Sequence, residues 1–172
     1  MSYPWLQKLN PLPKLIAQGL ALFGTIEVPG TKNSPIILGW ADELGLDNVY
    51  SADSIPWCGL FVAYVVKKSG RDPVHDPLWA RNWANWGVAS TTPSLGDILV
   101  FVRDGGGHVG FYIAEDATAY HVLGGNQSDK VSITRIAKNR CIAVRSPVYT
   151  NRPTTAKPYH LEASGALSTN ER

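Results

Sequence analysis

Cys58 opens the apolar run Cys58-Gly59-Leu60-Phe61-Val62, directly behind Pro56-Trp57. A cysteine acts as a nucleophile through its thiolate, and an ordinary thiol with a pKa of about 8.5 is only ~3% ionised at pH 7. Two devices lower that pKa: the positive end of a helix dipole and a neighbouring imidazolium. Cys58 stands where a helix would begin, and the small Gly59 beside it would let a substrate backbone approach. Of the four histidines, His108 stands out. It follows Gly105-Gly106-Gly107 and opens the run His108-Val109-Gly110-Phe111-Tyr112, a position from which an imidazole can face a groove and move a proton. The second thiol, Cys141, lies inside Cys141-Ile142-Ala143-Val144 and reads as a small buried hydrophobe. His75 and His160 lie in proline-rich loops and read as surface residues.

Helices come first in the chain and strands second. Residues 1–13 carry Pro4, Pro11 and Pro13 and read as an irregular arm. The spacing of Leu15, Ile16, Leu20 and Leu22 predicts a helix from Lys14 to Gly24. Ser34-Pro35 reads as an N-cap followed by proline at the first helical position, opening a helix through about Leu44 that Gly45 closes. The strongest helix runs from Cys58 to Ser69, with Lys67 and Lys68 at its negative end and Gly70 just beyond. A Trp-rich connection follows, in which Trp79, Trp83 and Trp86 would share a helical face. Trp40 and Trp83 read as core residues. From Gly96 the texture changes to short β-branched and aromatic runs over 97–102, 108–115, 119–124, 131–136 and 141–145, separated by turn residues. Asp97 serves the turn before the first of them. The expected architecture is an α+β domain over 14–147, helices packed on an antiparallel sheet, with a loose tail over 148–172.

Composition narrows the function. In 172 residues, 44% are hydrophobic and 17% charged, and the net charge is +2. That is globular chemistry, too mildly basic for nucleic acid. The two cysteines form neither a disulfide framework nor zinc-ligand spacing, so neither metal nor cofactor is expected. No apolar run approaches the ~20 residues of a membrane span. Nor does the start resemble a secretory leader. The expectation is synthesis in the cytoplasm without a signal peptide.

Three segments in order resemble the NlpC-type and CHAP-type cysteine peptidases and amidases: Pro56-Trp57-Cys58-Gly59-Leu60-Phe61-Val62, Gly96-Asp97-Ile98-Leu99-Val100-Phe101 and Gly107-His108-Val109-Gly110-Phe111-Tyr112. The similarity spans roughly residues 20 to 147. Glu27-Val28-Pro29-Gly30 and Leu123-Gly124-Gly125-Asn126-Gln127 extend it toward a phage-associated, lysin-like subgroup. The resemblance implies a papain-like fold with Cys58 as nucleophile and His108 as base. It implies peptidoglycan as the substrate, and action at the wall after release by a holin or as an antibacterial effector with an immunity protein.

In those families a third polar residue follows the histidine, and here His121 and Asn126 are the candidates. A hairpin turning at Asp116-Ala117 would set His108 opposite Gly125, next to Asn126, and His121 opposite Tyr112, about 13 Å along the strand. That register favours Asn126; a shift of two would favour His121. Gly124 stands where the CHAP pattern usually has Glu. Trp57 is expected to wall the groove, and Asp53 to order the site or bind a substrate amine. Glu27 reads as a solvated charge. Two other functions stay open: a non-catalytic module binding wall peptides or sitting in a virion, and a cytoplasmic thiol hydrolase acting on protein amides.

Overall fold

The computed structural model describes residues 3–163 and 165–171. Three α-helices, α1 (Lys14–Ala21), α2 (Pro35–Glu43) and α3 (Cys58–Lys68), precede the strands β1 (Val88–Ala89), β2 (Ile98–Arg103), β3 (Gly106–Glu115), β4 (Ala119–Gly124), β5 (Ser132–Ala137) and β6 (Cys141–Ser146). Among the described residues the strands form one antiparallel sheet in the order β1-β6-β2-β3-β4-β5. The helix starts follow local chemistry. The Ser34 side chain accepts from the Ile37 N–H, with Pro35 at the first helical position. α3 is apolar almost all round, and Leu60, Phe61, Val62, Ala63, Val65 and Val66 are all buried, as befits a helix enclosed by its neighbours. Its outer side meets α2, where Tyr64 stacks on Trp40 with ring centres 5.5 Å apart. Its inner side meets β3, where Phe61 packs edge-on against Phe111 at 6.0 Å. Short 3₁₀ turns at Leu6–Lys8, Ala80–Asn85 and Lys138–Arg140, and the two-residue strand β1, carry too little periodicity to be read from sequence.

The segments flanking the domain are held down. Trp5 of the arm stacks on Tyr159 at 4.6 Å, and Thr155 donates to the Pro11 carbonyl. Residues 148–172, expected to be loose, run across the molecule. Leu95 N–H donates to Lys157 O, Glu115 N–H to Tyr159 O, Leu161 N–H to Glu115 O, and Ser168 N–H to Arg135 O. Met1, Ser2, Ser164 and Arg172 of these two segments lie outside the described residues.

The β3–β4 hairpin departs from the expected register. Phe111 faces Leu123 and Tyr112 faces Val122, whereas beyond an irregularity at Ile113 it is Ala114 that faces His121. His121 is therefore not opposite Tyr112. The β3–β4 pairing ends at Leu123 and β4 itself at Gly124, beyond which Asn126 (φ 57°), Ser128 (φ 54°) and Asp129 (φ 60°) adopt left-handed backbone and curl the chain away from extended geometry.

Candidate active site

Cys58 is the first residue of α3, and no side chain caps that helix. Its first-turn N–H groups are therefore not consumed by a capping oxygen. The amides of Cys58 and Gly59, together with the Val109 N–H of β3, lie near enough to the Cys58 sulfur to act on it. Val109 directly follows His108, so the helix start and the strand that carries the histidine meet at the thiol. These N–H groups favour the thiolate, but Cys58 is 2% exposed and burial outweighs them: the thiol is pushed up, not down. The lowered pKa expected from helix placement is thus overturned by desolvation.

His108 is fully buried. Its Nε2 lies 3.1 Å from Gln127 Oε1, and the Gln127 amide nitrogen donates to Val122 O at 3.2 Å and Ser132 O at 2.7 Å. Those two donations fix which end of the amide faces the ring. The ring nitrogen toward Gln127 must then carry the proton, and Nδ1 keeps its lone pair. Nδ1 is buried without a hydrogen-bond partner among the described residues. Burial is the main cause that pushes the imidazole down to about 4, so it is neutral at pH 7 and able to accept a proton.

Gln127 takes the place expected for Asn126. With Asn126 in left-handed backbone the two-residue alternation fails, so Gln127 reaches back to His108, while Asn126 Oδ1 is buried without a partner among the described residues. The signal lay at Gly124. A Cβ there would stand 2.6 Å from Gln127 Oε1 and 3.1 Å from His108 Nε2. The glycine vacates the spot that the glutamine fills. The alternative, His121, is committed elsewhere: its Nε2 lies 2.8 Å from Asp116 and its Nδ1 2.7 Å from the Tyr3 hydroxyl. Arg135 holds the same Asp116 carboxylate and, as the largest influence on it, keeps that carboxyl well below its usual range.

The expected substrate-binding residues have structural contacts instead. Trp57 is fully buried; its indole N–H donates to Glu27 Oε2 at 3.2 Å, which draws Glu27 into the packing, and its ring packs against Gly125. Asp53 Oδ2 accepts from the amides of Val28 (2.9 Å) and Ser34 (2.7 Å), so its carboxylate ties down a loop. At Gly59 a Cβ would run into the carbonyl oxygens of Pro77 and Leu78, so the backbone that approaches this glycine is the protein's own. Asp97, as expected, serves its turn, accepting from Ser94 N–H and the Ser146 hydroxyl. Among the described residues, no group of three or more His, Cys, Asp or Glu side chains is arranged to hold a metal ion, and no helix is long and apolar enough to cross a membrane.

A comparison with curated proteins finds no match. The CHAP domain family matches residues 50–126, an interval that runs from the loop before Cys58 through α3, β2, β3 and β4 to Asn126. Over that interval the chain is similar to the CHAP domain family, and the cysteine at a helix start, the histidine on the packed strand and the α+β architecture agree with a CHAP-type, papain-like cysteine peptidase or amidase fold.

Proposed function

We propose that the protein hydrolyses an amide bond of peptidoglycan, with Cys58 as nucleophile, His108 as general base and acid, and Gln127 as the residue that orients His108. The observation that carries this reading is the asymmetry of the imidazole: one nitrogen is fixed by Gln127, and the other is unpartnered beside the strand residue whose N–H meets the thiol. Nδ1 takes the thiol proton as sulfur bonds to the carbonyl carbon, and the oxyanion accepts from N–H groups at the α3 start. The same proton passes to the amine nitrogen as the C–N bond breaks. Water then attacks the thioester carbonyl, its proton going to Nδ1; the C–S bond breaks, the carboxylic acid leaves, and the imidazolium returns its proton to the Cys58 sulfur. Purified sacculi treated with the wild type should lose turbidity, and mass spectrometry of the products should show one new amine terminus. Amine on L-Ala identifies an amidase; amine on a diamino acid or D-Ala identifies an endopeptidase. Products identical to those from untreated sacculi would overturn the reading.

The deep burial of both Cys58 and His108 favours a second reading, a module that binds wall peptides without cutting them. Such a module would pellet with sacculi and leave their composition unchanged. A role as a phage endolysin released through a holin, or as a secreted effector, fits the hydrolase reading and the sequence resemblance.

A further inference from the structure

A guanidinium and a carboxylate meet beside the proposed base. Arg140 is anchored to the sheet by its Nε, which donates to Val102 O at 3.1 Å. Its two outer nitrogens grip the Glu171 carboxylate as a fork, at 3.1 and 2.9 Å, the geometry of specific carboxylate recognition. Glu171 is 2% exposed, and its charge and those of Arg103 and Arg140 all act on the His108 ring. The segment leading to it is strapped by main-chain bonds on two sides, from Ser168 N–H to Arg135 O and from Ser128 N–H to Asn170 O. A cavity of about 570 Å³ runs alongside, between Val102, Arg103 and Asp104 at the end of β2, Arg140 of the 3₁₀ turn, and Leu167 and Thr169 on the strap. Leu167 is 41% exposed, so polar bonds rather than apolar burial hold the strap, and a competing peptide can replace them one for one. Two guanidiniums next to a general base weaken it as a proton acceptor. The Glu171 carboxylate that Arg140 holds acts on the ring in the opposite sense.

We propose that Arg140 is the carboxylate-binding residue of the substrate groove, and that the segment Leu167–Glu171 occupies this groove as a pseudo-substrate. The substrate is then a peptide with a free carboxylate close to the scissile amide. This rests on the amide-hydrolase reading of the same site, yet its test does not require turnover. In the full chain, Glu171→Gln should free the groove, and iodoacetamide should alkylate Cys58, followed by peptide mass mapping, about fivefold faster or more than in the wild type. The C-terminally amidated peptide Ala-Leu-Ser-Thr-Asn-Glu-NH2, added to Glu171→Gln, should restore protection, whereas the amidated version ending in Gln should not. Soluble peptidoglycan fragments should protect in the same way, and amidating their carboxylates should abolish it. Adding Arg140→Ala, or the charge-conserving Arg140→Lys if the first is poorly folded, should remove the preference for the acid over the amide. Wild-type alkylation rates in Glu171→Gln, or equal protection by acid and amide ligands, would overturn the proposal. Intact sacculi alongside acid-selective protection would overturn the peptidoglycan-hydrolase reading while leaving Arg140 as an acidic-peptide site.

Discussion

The imidazole of His108 gives each of its neighbours a separable role. Cys58→Ser should abolish hydrolysis with an unchanged circular dichroism spectrum, because a hydroxyl of nearly equal size lacks the thiolate's nucleophilicity; a folded, active serine variant would remove Cys58 from the mechanism. Gln127→Ala takes away the acceptor that holds the ring in place and should lower kcat by ~10-fold or more with a small change in KM, since orientation rather than binding is lost. Asn126→Ala leaves the bond between His108 and Gln127 intact and should cost kcat less than Gln127→Ala does. His121→Ala acts in another network. It leaves the buried Asp116 carboxylate short of one hydrogen bond and should cost about 1–3 kcal/mol of stability while sparing kcat. Steady-state kinetics and urea titrations of the four variants separate these effects; a kcat loss confined to His121→Ala would relocate the orienting residue.

At the level of elements, the chemistry sits where one kind of structure hands over to another. Cys58 and His108 were legible because the start of an apolar helix and the start of a β run behind glycines are local patterns, and both elements formed close to the expected boundaries. Gln127 was not legible. Its approach to His108 depends on left-handed backbone at Asn126, which breaks the alternation by which strand side chains are assigned to faces. The internal contacts of Trp57, Asp53 and Gly59 were not legible for a related reason: proximity in sequence to a nucleophile does not reveal which groups another loop will cover. Gly59 shows this most directly. Its α-hydrogen side faces the Pro77 and Leu78 carbonyls, backbone atoms that cannot rotate aside. Gly59→Ala should therefore force the 77–78 loop off α3 and destabilise the fold by about 1–3 kcal/mol, read as a lower urea midpoint. A midpoint unchanged from wild type would return Gly59 to the role of a substrate-facing residue.

For the molecule as a whole, enclosing the site links its chemistry to global stability. His108 is buried against Gln127, and the strap that carries Glu171 is bonded to Ser128, next to Gln127; burial is the largest cause of the fall of the His108 pKa from the ordinary 6.5 to about 4. Glu171 opposes that fall, whereas Arg103 and Arg140 add to it. Between pH 6.5 and 4 the unfolded chain therefore binds a proton at this residue that the folded chain does not, and stability must rise with pH across that window. The contribution is fully present above about pH 6.5 and is lost as pH falls toward 4, with a slope of at most about 1.4 kcal/mol per pH unit for one group. Asp116 and Glu171, both held below their usual ranges, act in the same direction but lower down, because their contributions fade only as pH falls below the ordinary carboxylate range. The two sources can thus be resolved. His108→Gln, which keeps a polar side chain that cannot titrate, should flatten the dependence of the urea midpoint between pH 6.5 and 4.5 while leaving the steeper loss below pH 4 in place. Glu171→Gln should weaken the acid loss below pH 4 and, because it frees the strap beside His108, should also reduce the slope above it, whereas His108→Gln changes only the upper window. Equal slopes in wild type and His108→Gln between pH 6.5 and 4.5 would mean that the imidazole titrates in the folded protein as it does in water, and hence that the groove stands open in solution.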